Sequence, residues 1–122
     1  MGAAMTVPVK RLLREYGIEP SKGLGQNFLI SDHGIQKVLD AANLQPDESV
    51  LEVGPGLGSL TIHLARLAQR VVTVELDRKM IAPLGEVLEP YDNVEVIQGD
   101  ILEIELNDLF EGAFCVVANI PY

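Results

Sequence analysis

The sequence has little cysteine, few cations and no long apolar run, and each of these features argues against particular classes of protein. A single cysteine among 122 residues, Cys115, excludes an internal disulfide and is typical of the reducing cytoplasm. Because Cys115 lies in an apolar run, we expect its thiol to be buried and unreactive. No apolar run approaches the roughly 20 residues that span a bilayer, so the sequence predicts a soluble, cytoplasmic domain without a membrane partner.

Positive charge is scarce, with 9 Lys and Arg against 18 Asp and Glu, which gives a net charge of −9. Over the whole surface this balance argues against a nucleic-acid partner. The first 22 residues differ, because they carry four cations and two acids. That segment is either a phosphate contact or an ordinary solvated helix face. If the protein handles RNA, most of its basic surface must lie outside this chain.

The sequence contains no histidines or cysteines at the spacing typical of metal ligands. The two histidines, His33 and His63, have no cysteine, histidine or carboxylate partner at such spacing, so we predict no metal site.

Helix and strand patterns alternate along the chain. Apolar residues at helical spacing predict helices over residues 7–16, 32–42, 59–67 and 78–88. Gly17 ends the first of these, and Pro83 kinks or delays the last. Apolar and β-branched runs predict strands over residues 50–53, 71–74, 94–97 and 114–118. This alternation predicts an α/β fold with a doubly wound parallel sheet and helices on both faces.

Residues suited to binding a nucleoside follow each predicted strand. In such sheets the ligand lies beyond the carboxyl ends of the strands, near the point where strand order reverses. The first strand runs through Glu52 into the glycine loop 54–58, whose glycines allow a ligand to approach the backbone. Glu75 follows the second strand, where a carboxylate can accept both ribose hydroxyls. Asp100 follows the third strand, where it can accept from an adenine amino group. Taken singly, Glu75 can be a solvated strand end, Asp77 a helix cap and Asp100 a turn residue.

The glycine spacing favours S-adenosylmethionine over NAD. A dinucleotide loop has glycines at its first, third and sixth positions. Here Ser59 occupies the sixth position, and the third glycine, Gly58, occupies the fifth. The looser loop suits an aminoacyl group beside the Glu52 carboxylate. A dehydrogenase domain remains the alternative enzyme class.

The last four residues, Asn119-Ile120-Pro121-Tyr122, suit a planar amino group such as N6 of adenine. The Asn119 amide oxygen and a backbone carbonyl can accept its two hydrogens, and Tyr122 can stack on the ring. Because this motif ends the chain, we expect a domain truncated after its fourth strand, with an exposed apolar edge on that strand.

Together these segments resemble the N-terminal half of the ribosomal RNA small-subunit adenine N6,N6-dimethyltransferases, the KsgA family. The resemblance rests on Leu24-Gly25-Gln26-Asn27-Phe28-Leu29, on 51–61, on Val74-Glu75-Leu76-Asp77, on Gly99-Asp100-Ile101-Leu102 and on the Asn119 motif. It implies a Rossmann-like fold that uses S-adenosyl-L-methionine to dimethylate two adjacent adenines near the 3′ end of small-subunit rRNA. The implied partner is this rRNA in the immature small ribosomal subunit.

The resemblance also implies domains and site residues. Residues 1–30 would form an N-terminal helix and a cofactor-covering segment, and residues 31–122 would begin the catalytic domain, with the C-terminal RNA-binding part absent. The implied cofactor-binding residues are Gln26, Asn27, Leu29, Glu52, Gly54, Gly56, Glu75, Asp100, Ile101 and Asn119. The implied catalytic residues are Asn119, Pro121 and Tyr122.

Two further functions stay open on the sequence. Ile120 stands where the small-subunit enzymes more often have leucine, and isoleucine is common in the related Erm enzymes, which methylate an adenine of large-subunit rRNA. The second alternative is a non-catalytic RNA-binding ribosome-assembly factor on the same scaffold. In either case we expect the 122-residue chain alone to bind cofactor weakly at best and to be inactive on rRNA.

Overall fold

The structure is a computed structural model that describes residues 6–19 and 32–118. All of the predicted helices and strands are present in these ranges. They are α1 (Val9–Glu15), α2 (Asp32–Ala42), β1 (Ser49–Val53), α3 (Thr61–Leu67), β2 (Arg70–Glu75), α4 (Ile81–Leu88), β3 (Val94–Gln98) and β4 (Phe114–Ala118). Short 3₁₀ turns span Arg78–Met80, Ile101–Glu103 and Leu106–Asp108.

The four strands form one parallel sheet in the order β3-β2-β1-β4. The chain moves outward from β1 to β3 and then crosses back to place β4 on the other side of β1. This reversal confirms the predicted doubly wound sheet, and it puts the switch point between β1 and β4. In register, Val53 lies opposite Val74 on β2 and Ala118 on β4, so the strands end at a common edge.

The two faces of the sheet are covered differently. Helices α2, α3 and α4 lie on the face that carries Val50, Val71 and Val94. The face that carries Leu51 and Val72 is covered, within the described residues, by the two 3₁₀ turns of the β3–β4 crossover. The prediction of helices on both faces is therefore wrong for this part of the chain. Apolar residues of the crossover, such as Ile101, Ile104 and Phe110, pack against this face of the sheet.

Some side chains of the outer strand β4 are exposed to solvent. Val116 is 57% exposed, which agrees with an apolar edge on this strand. Cys115 is half-buried, so the prediction of a buried thiol is wrong. Its position on the outermost described strand is the reason, because only β1 pairs with β4 there.

Proline delays the last predicted helix. The predicted helix over 78–88 begins as the 3₁₀ turn Arg78–Met80 and becomes α-helical at Ile81. Pro83 then lies in the first turn of α4, where a backbone N–H has no partner within the helix. Of the two predicted effects, delay is the one that the structure shows.

Candidate functional site at the carboxyl ends of the strands

The glycine loop leaves β1 in a conformation that only glycine adopts easily. Gly54, Gly56 and Gly58 have φ angles of 77°, 59° and 88°. A side chain at such angles is strained, so the repeated glycines are required by the backbone itself.

The amide hydrogens of all three glycines are already donated within the protein. Gly54 N–H donates to the Val74 carbonyl at 3.0 Å, and Gly58 N–H donates to the Pro55 carbonyl at 2.9 Å. Gly56 N–H donates to Glu75 Oε1 at 3.2 Å. A loop that cradles phosphate keeps its amides free for phosphate oxygens. These glycine amides are not free, which argues against a pyrophosphate ligand such as that of NAD.

Glu75 is fixed at the end of β2. Its Oε1 atom accepts from Gly56 N–H, and its Oε2 atom accepts from Asp77 N–H at 2.8 Å. The side chain is only 7% exposed, so the alternative of a solvated strand end is wrong. Burial raises the pKa of this carboxyl, and the two N–H donors oppose that rise. Since each carboxylate oxygen has further acceptor capacity, Glu75 can still receive two hydroxyl groups from a ribose.

Glu52 lies in the interior rather than on an open surface. Its Oε1 atom accepts from the Thr73 hydroxyl at 2.9 Å and from the Thr61 hydroxyl, while its side chain is fully buried. Burial raises the pKa of this carboxyl to about 7. Within the described residues, Oε2 has no hydrogen-bond partner. A buried acceptor without a partner is rare, so this atom is a candidate contact for a ligand cation or a bound water.

Sequence reasoning missed the two threonines that hold Glu52. Thr73 stands directly opposite Glu52 in the β1–β2 register, and Thr61 begins α3. The available signal was Thr73, a threonine within a run of valines in the predicted second strand. Neither residue could be assigned to Glu52 before the strand register was known.

Asp100 follows β3 and begins the next turn. Its Oδ1 atom accepts from Leu102 N–H at 2.9 Å, so the predicted turn role is confirmed. One oxygen of the half-buried carboxylate remains available for an amino group. Asp77 likewise caps the turn that follows it, by accepting from Lys79 N–H at 3.0 Å. Ile101 is half-buried and packs on the apolar cluster of the crossover.

Two exposed leucines at the same edge were not predicted. Leu76 is 67% exposed directly after Glu75, and Leu102 is 89% exposed near Asp100. Gln98 Nε2 donates to the Leu76 carbonyl at 2.9 Å, which links the ends of β2 and β3. Exposed apolar groups beside carboxylates suit a ligand with both an aromatic ring and polar groups.

Six predicted site residues lie outside the described ranges and stay predictions. They are Gln26, Asn27, Leu29, Asn119, Pro121 and Tyr122.

Metal-binding groups and membrane-spanning helices are both absent from residues 6–19 and 32–118, the part of the chain that the structure describes. These residues contain no group of three or more His, Cys, Asp or Glu side chains that could hold a metal ion. In the same ranges, every helix is too short or too polar to cross a membrane.

The residues at this edge fit S-adenosylmethionine better than a dinucleotide. Glu52, Glu75 and Asp100 bring three carboxyl groups to one end of the sheet. Such groups accept from hydroxyl, amino and ammonium groups and repel phosphate. S-adenosylmethionine offers two ribose hydroxyls, an adenine amino group and the ammonium group of its zwitterionic aminoacyl end. Glu52 Oε2, which has no hydrogen-bond partner among the described residues, and the internally satisfied glycine amides are compatible with the same ligand.

Comparisons with known proteins agree with this chemistry. A family model described as ribosomal RNA adenine dimethylase matches residues 19–122. The ribosomal RNA small subunit methyltransferase A of Alkaliphilus metalliredigens is 44% identical over 118 residues, which cover 93% of this chain and 41% of that protein. The chain thus spans about two fifths of the length of the curated relatives it matches.

Two solved structures show the same relationship in three dimensions. The 23S rRNA methyltransferase ErmE has 38% identity and a TM-score of 0.71 over 79% of this chain and 38% of its own. A dimethyladenosine transferase from Plasmodium falciparum has 34% identity and a TM-score of 0.67 over 79% of this chain and 34% of its own. The predicted Rossmann-like methyltransferase fold is confirmed. Because the family match extends over most of the sequence, the chain belongs to the ribosomal RNA adenine dimethylase family.

Proposed function

We propose that the complete protein containing this chain dimethylates N6 of two adjacent adenines near the 3′ end of small-subunit rRNA, with S-adenosyl-L-methionine as methyl donor. The observation that carries this proposal is the set of three carboxyl groups at the carboxyl ends of β1, β2 and β3, together with a glycine loop whose glycine amides are not free for phosphate. The relatives' names support the choice of small-subunit rRNA.

Each described site residue has a proposed part in holding the cofactor. Glu75 receives the ribose hydroxyls, and Asp100 with Ile101 receives the adenine. Gly54 and Gly56 lie beneath the aminoacyl portion, and Glu52 Oε2 accepts from its ammonium group directly or through water. Gln26, Asn27 and Leu29 are proposed to cover the cofactor. When bound, S-adenosylmethionine supplies a methyl group made electrophilic by its sulfonium.

The proposed catalytic residues follow β4. Ala118 pairs with Val53, so β4 ends beside the strand that leads into the glycine loop, at the switch point of the sheet. Asn119 and the backbone near Pro121 accept the two N6 hydrogens, which lets the nitrogen lone pair leave conjugation with the ring. Tyr122 stacks on the target base after the base leaves its RNA stack. Holding both reactants in line contributes up to roughly 7–11 kcal/mol in favourable cases, and no strong base is required.

The proposed domain organisation and partner concern the complete protein. Residues 1–30 form the helix and cofactor-covering segment, residues 31–122 begin the catalytic domain, and the main RNA-binding part lies elsewhere in the complete protein. The net charge of −9 supports that separation, because rRNA binding requires a basic surface. The natural partner is the immature small ribosomal subunit in the cytoplasm.

A methyl-transfer assay on two purified substrates tests the proposal. The complete protein is incubated with radiolabelled S-adenosylmethionine and either immature small subunits or large-subunit rRNA. We expect label in dimethyladenosine of the small-subunit rRNA alone. Binding to small subunits without incorporation of label would instead indicate a non-catalytic assembly factor.

An Erm-type activity is the second candidate, and the likeness to ErmE is what favours it. In that case the label would enter large-subunit rRNA. The same assay therefore separates the two enzymes.

A further inference from the structure

One apolar cluster joins helix α1 to the glycine loop. Val9 and Leu12 of α1 are buried against Leu57 and Met80. Leu57 lies between Gly56 and Gly58, and Met80 ends the turn that begins after Asp77. The buried side of α1 therefore contacts the two segments that leave β1 and β2 at the site.

Polar contacts tie the exposed side of α1 to α4. The Tyr16 hydroxyl donates to Glu86 Oε1 at 2.7 Å, and Arg11 approaches Glu86 Oε2 at 3.5 Å. Arg11 also pairs with Glu15 within α1 at 3.0 Å. Each exposed pair contributes little stability, and the two contacts to Glu86 add to the apolar packing that holds α1 beside α4.

The C-terminus of α1 is fixed as well. Gly17 adopts a φ of +64°, and Ile18 N–H donates to the Leu13 carbonyl at 2.8 Å, as in a Schellman motif. Ile18 packs against the same apolar cluster. The motif therefore anchors the end of α1 on the cluster that holds Leu57.

We infer that α1 is a brace for the cofactor site and that Leu12 is a positioning residue acting through Leu57. The loop between β1 and α3 holds three glycines at positive φ, and free glycines populate many other conformations. Burial of Leu12 in the same apolar cluster as Leu57 keeps the loop in its binding geometry before the ligand arrives. Preorganisation of this kind raises affinity because less ordering is left for the binding step. This inference rests on the proposed cofactor.

Leu64 provides a matched control for Leu12. Both leucines are fully buried, but Leu64 packs against Val50 and Val71, at the opposite end of the strands from the site. We therefore compare Leu12→Ala with Leu64→Ala in the complete protein. Thermal unfolding measures stability, and calorimetric titration measures the affinity for S-adenosylmethionine. Hydrogen exchange of the unliganded protein measures the opening of the glycine loop.

Both substitutions are expected to lower the unfolding temperature to a similar degree. Only Leu12→Ala is expected to weaken S-adenosylmethionine binding, by about tenfold, and to accelerate amide exchange over 54–58. In steady-state kinetics, Leu12→Ala should raise KM for the cofactor more than it lowers kcat. The conservative variant Leu12→Met should restore the wild-type affinity. Equal effects of both substitutions on affinity and exchange, or no effect of Leu12→Ala on either, would overturn the inference.

The test remains decisive if a variant fails to fold or if the wild-type protein fails to bind S-adenosylmethionine. If either alanine variant fails to fold, Leu12→Val and Leu64→Val replace the pair. If the wild-type protein does not bind S-adenosylmethionine, the proposed function fails. The exchange comparison in the unliganded protein then still decides whether α1 braces the loop.

Discussion

Glu52 and Thr73 face each other across β1 and β2, and the Thr73 hydroxyl donates to Glu52 Oε1 at 2.9 Å. Thr61 donates to the same oxygen from the start of α3. This shared acceptor ties the first two strands to the helix that follows the glycine loop. The carboxyl group lies in the interior directly before that loop, so its protonation is coupled to the fold around the site.

Stability should fall as pH rises through the range in which Glu52 ionises. Burial raises its pKa from 4.5 to about 7, so between these values the folded protein holds a proton that the unfolded chain has lost. The free energy of unfolding should decrease by about 3 kcal/mol from pH 4.5 to pH 7 through this group. Glu75 acts in the same direction, because burial raises its pKa as well.

Glu52→Gln removes this contribution because glutamine does not titrate. Denaturant unfolding at several pH values should show a flatter profile for Glu52→Gln than for the wild type. Glu95→Gln is the control, since Glu95 is an exposed residue paired with Arg70. Parallel profiles for the wild type and Glu52→Gln would contradict the buried position of this carboxyl.

Glu75→Gln should weaken S-adenosylmethionine binding by roughly 10- to 100-fold. The amide retains one acceptor oxygen in place of two, so the contacts to Gly56 N–H, Asp77 N–H and both ribose hydroxyls cannot all be made. Hydrogen bonds to a charged group contribute about 1.5–3 kcal/mol each, which gives this range of affinity. Isothermal titration measures it, and Glu95→Gln again provides a carboxylate control. An unchanged affinity would remove Glu75 from the site.

Gly58→Ala should destabilise the fold by about 1–3 kcal/mol. Its φ of +88° is strained for alanine, and the added Cβ would lie 3.1 Å from Leu84 Cδ1 and 3.3 Å from Val87 Cγ1. Gly85→Ala is a matched control within α4, where an added Cβ meets nothing within 4 Å. That substitution should stabilise the protein by up to about 1 kcal/mol through helix propensity. Chemical denaturation gives both values, and a loss in Gly85→Ala as large as that in Gly58→Ala would contradict the packing of the loop on α4.

Asn119→Ala should abolish methyl transfer and leave cofactor binding largely intact. The proposed part of Asn119 is to accept from N6 of the target adenine, which the cofactor alone does not require. Single-turnover transfer to immature small subunits and titration with S-adenosylmethionine separate the two effects. Full transfer activity in the variant would remove Asn119 from the mechanism.

Much of the fold could be predicted from local sequence. The valine-rich runs at β1, β2 and β4 determine the strands, and the order of chemical groups at their ends places the site. Gly17, Pro83 and Asp77 have the local roles expected of a helix stop, a helix delay and a cap. These features depend on residues close in sequence, which is why pattern alone finds them.

The contacts that shape the site depend on residues far apart in sequence. Glu52 meets Thr73 only through the strand register, and Leu12 meets Leu57 only after α1 packs on the loop. The crossover between β3 and β4 forms short 3₁₀ turns, and its apolar residues pack against the distant strands β1 and β2. No local pattern determines which of these partners come together.

Calorimetric titration of the complete protein with S-adenosylmethionine, S-adenosylhomocysteine and NAD tests the central claim most directly. Three carboxyl groups and internally satisfied glycine amides predict binding of both adenosyl compounds and none of NAD. Preference for NAD would contradict the account, because it would require the glycine loop to hold a pyrophosphate.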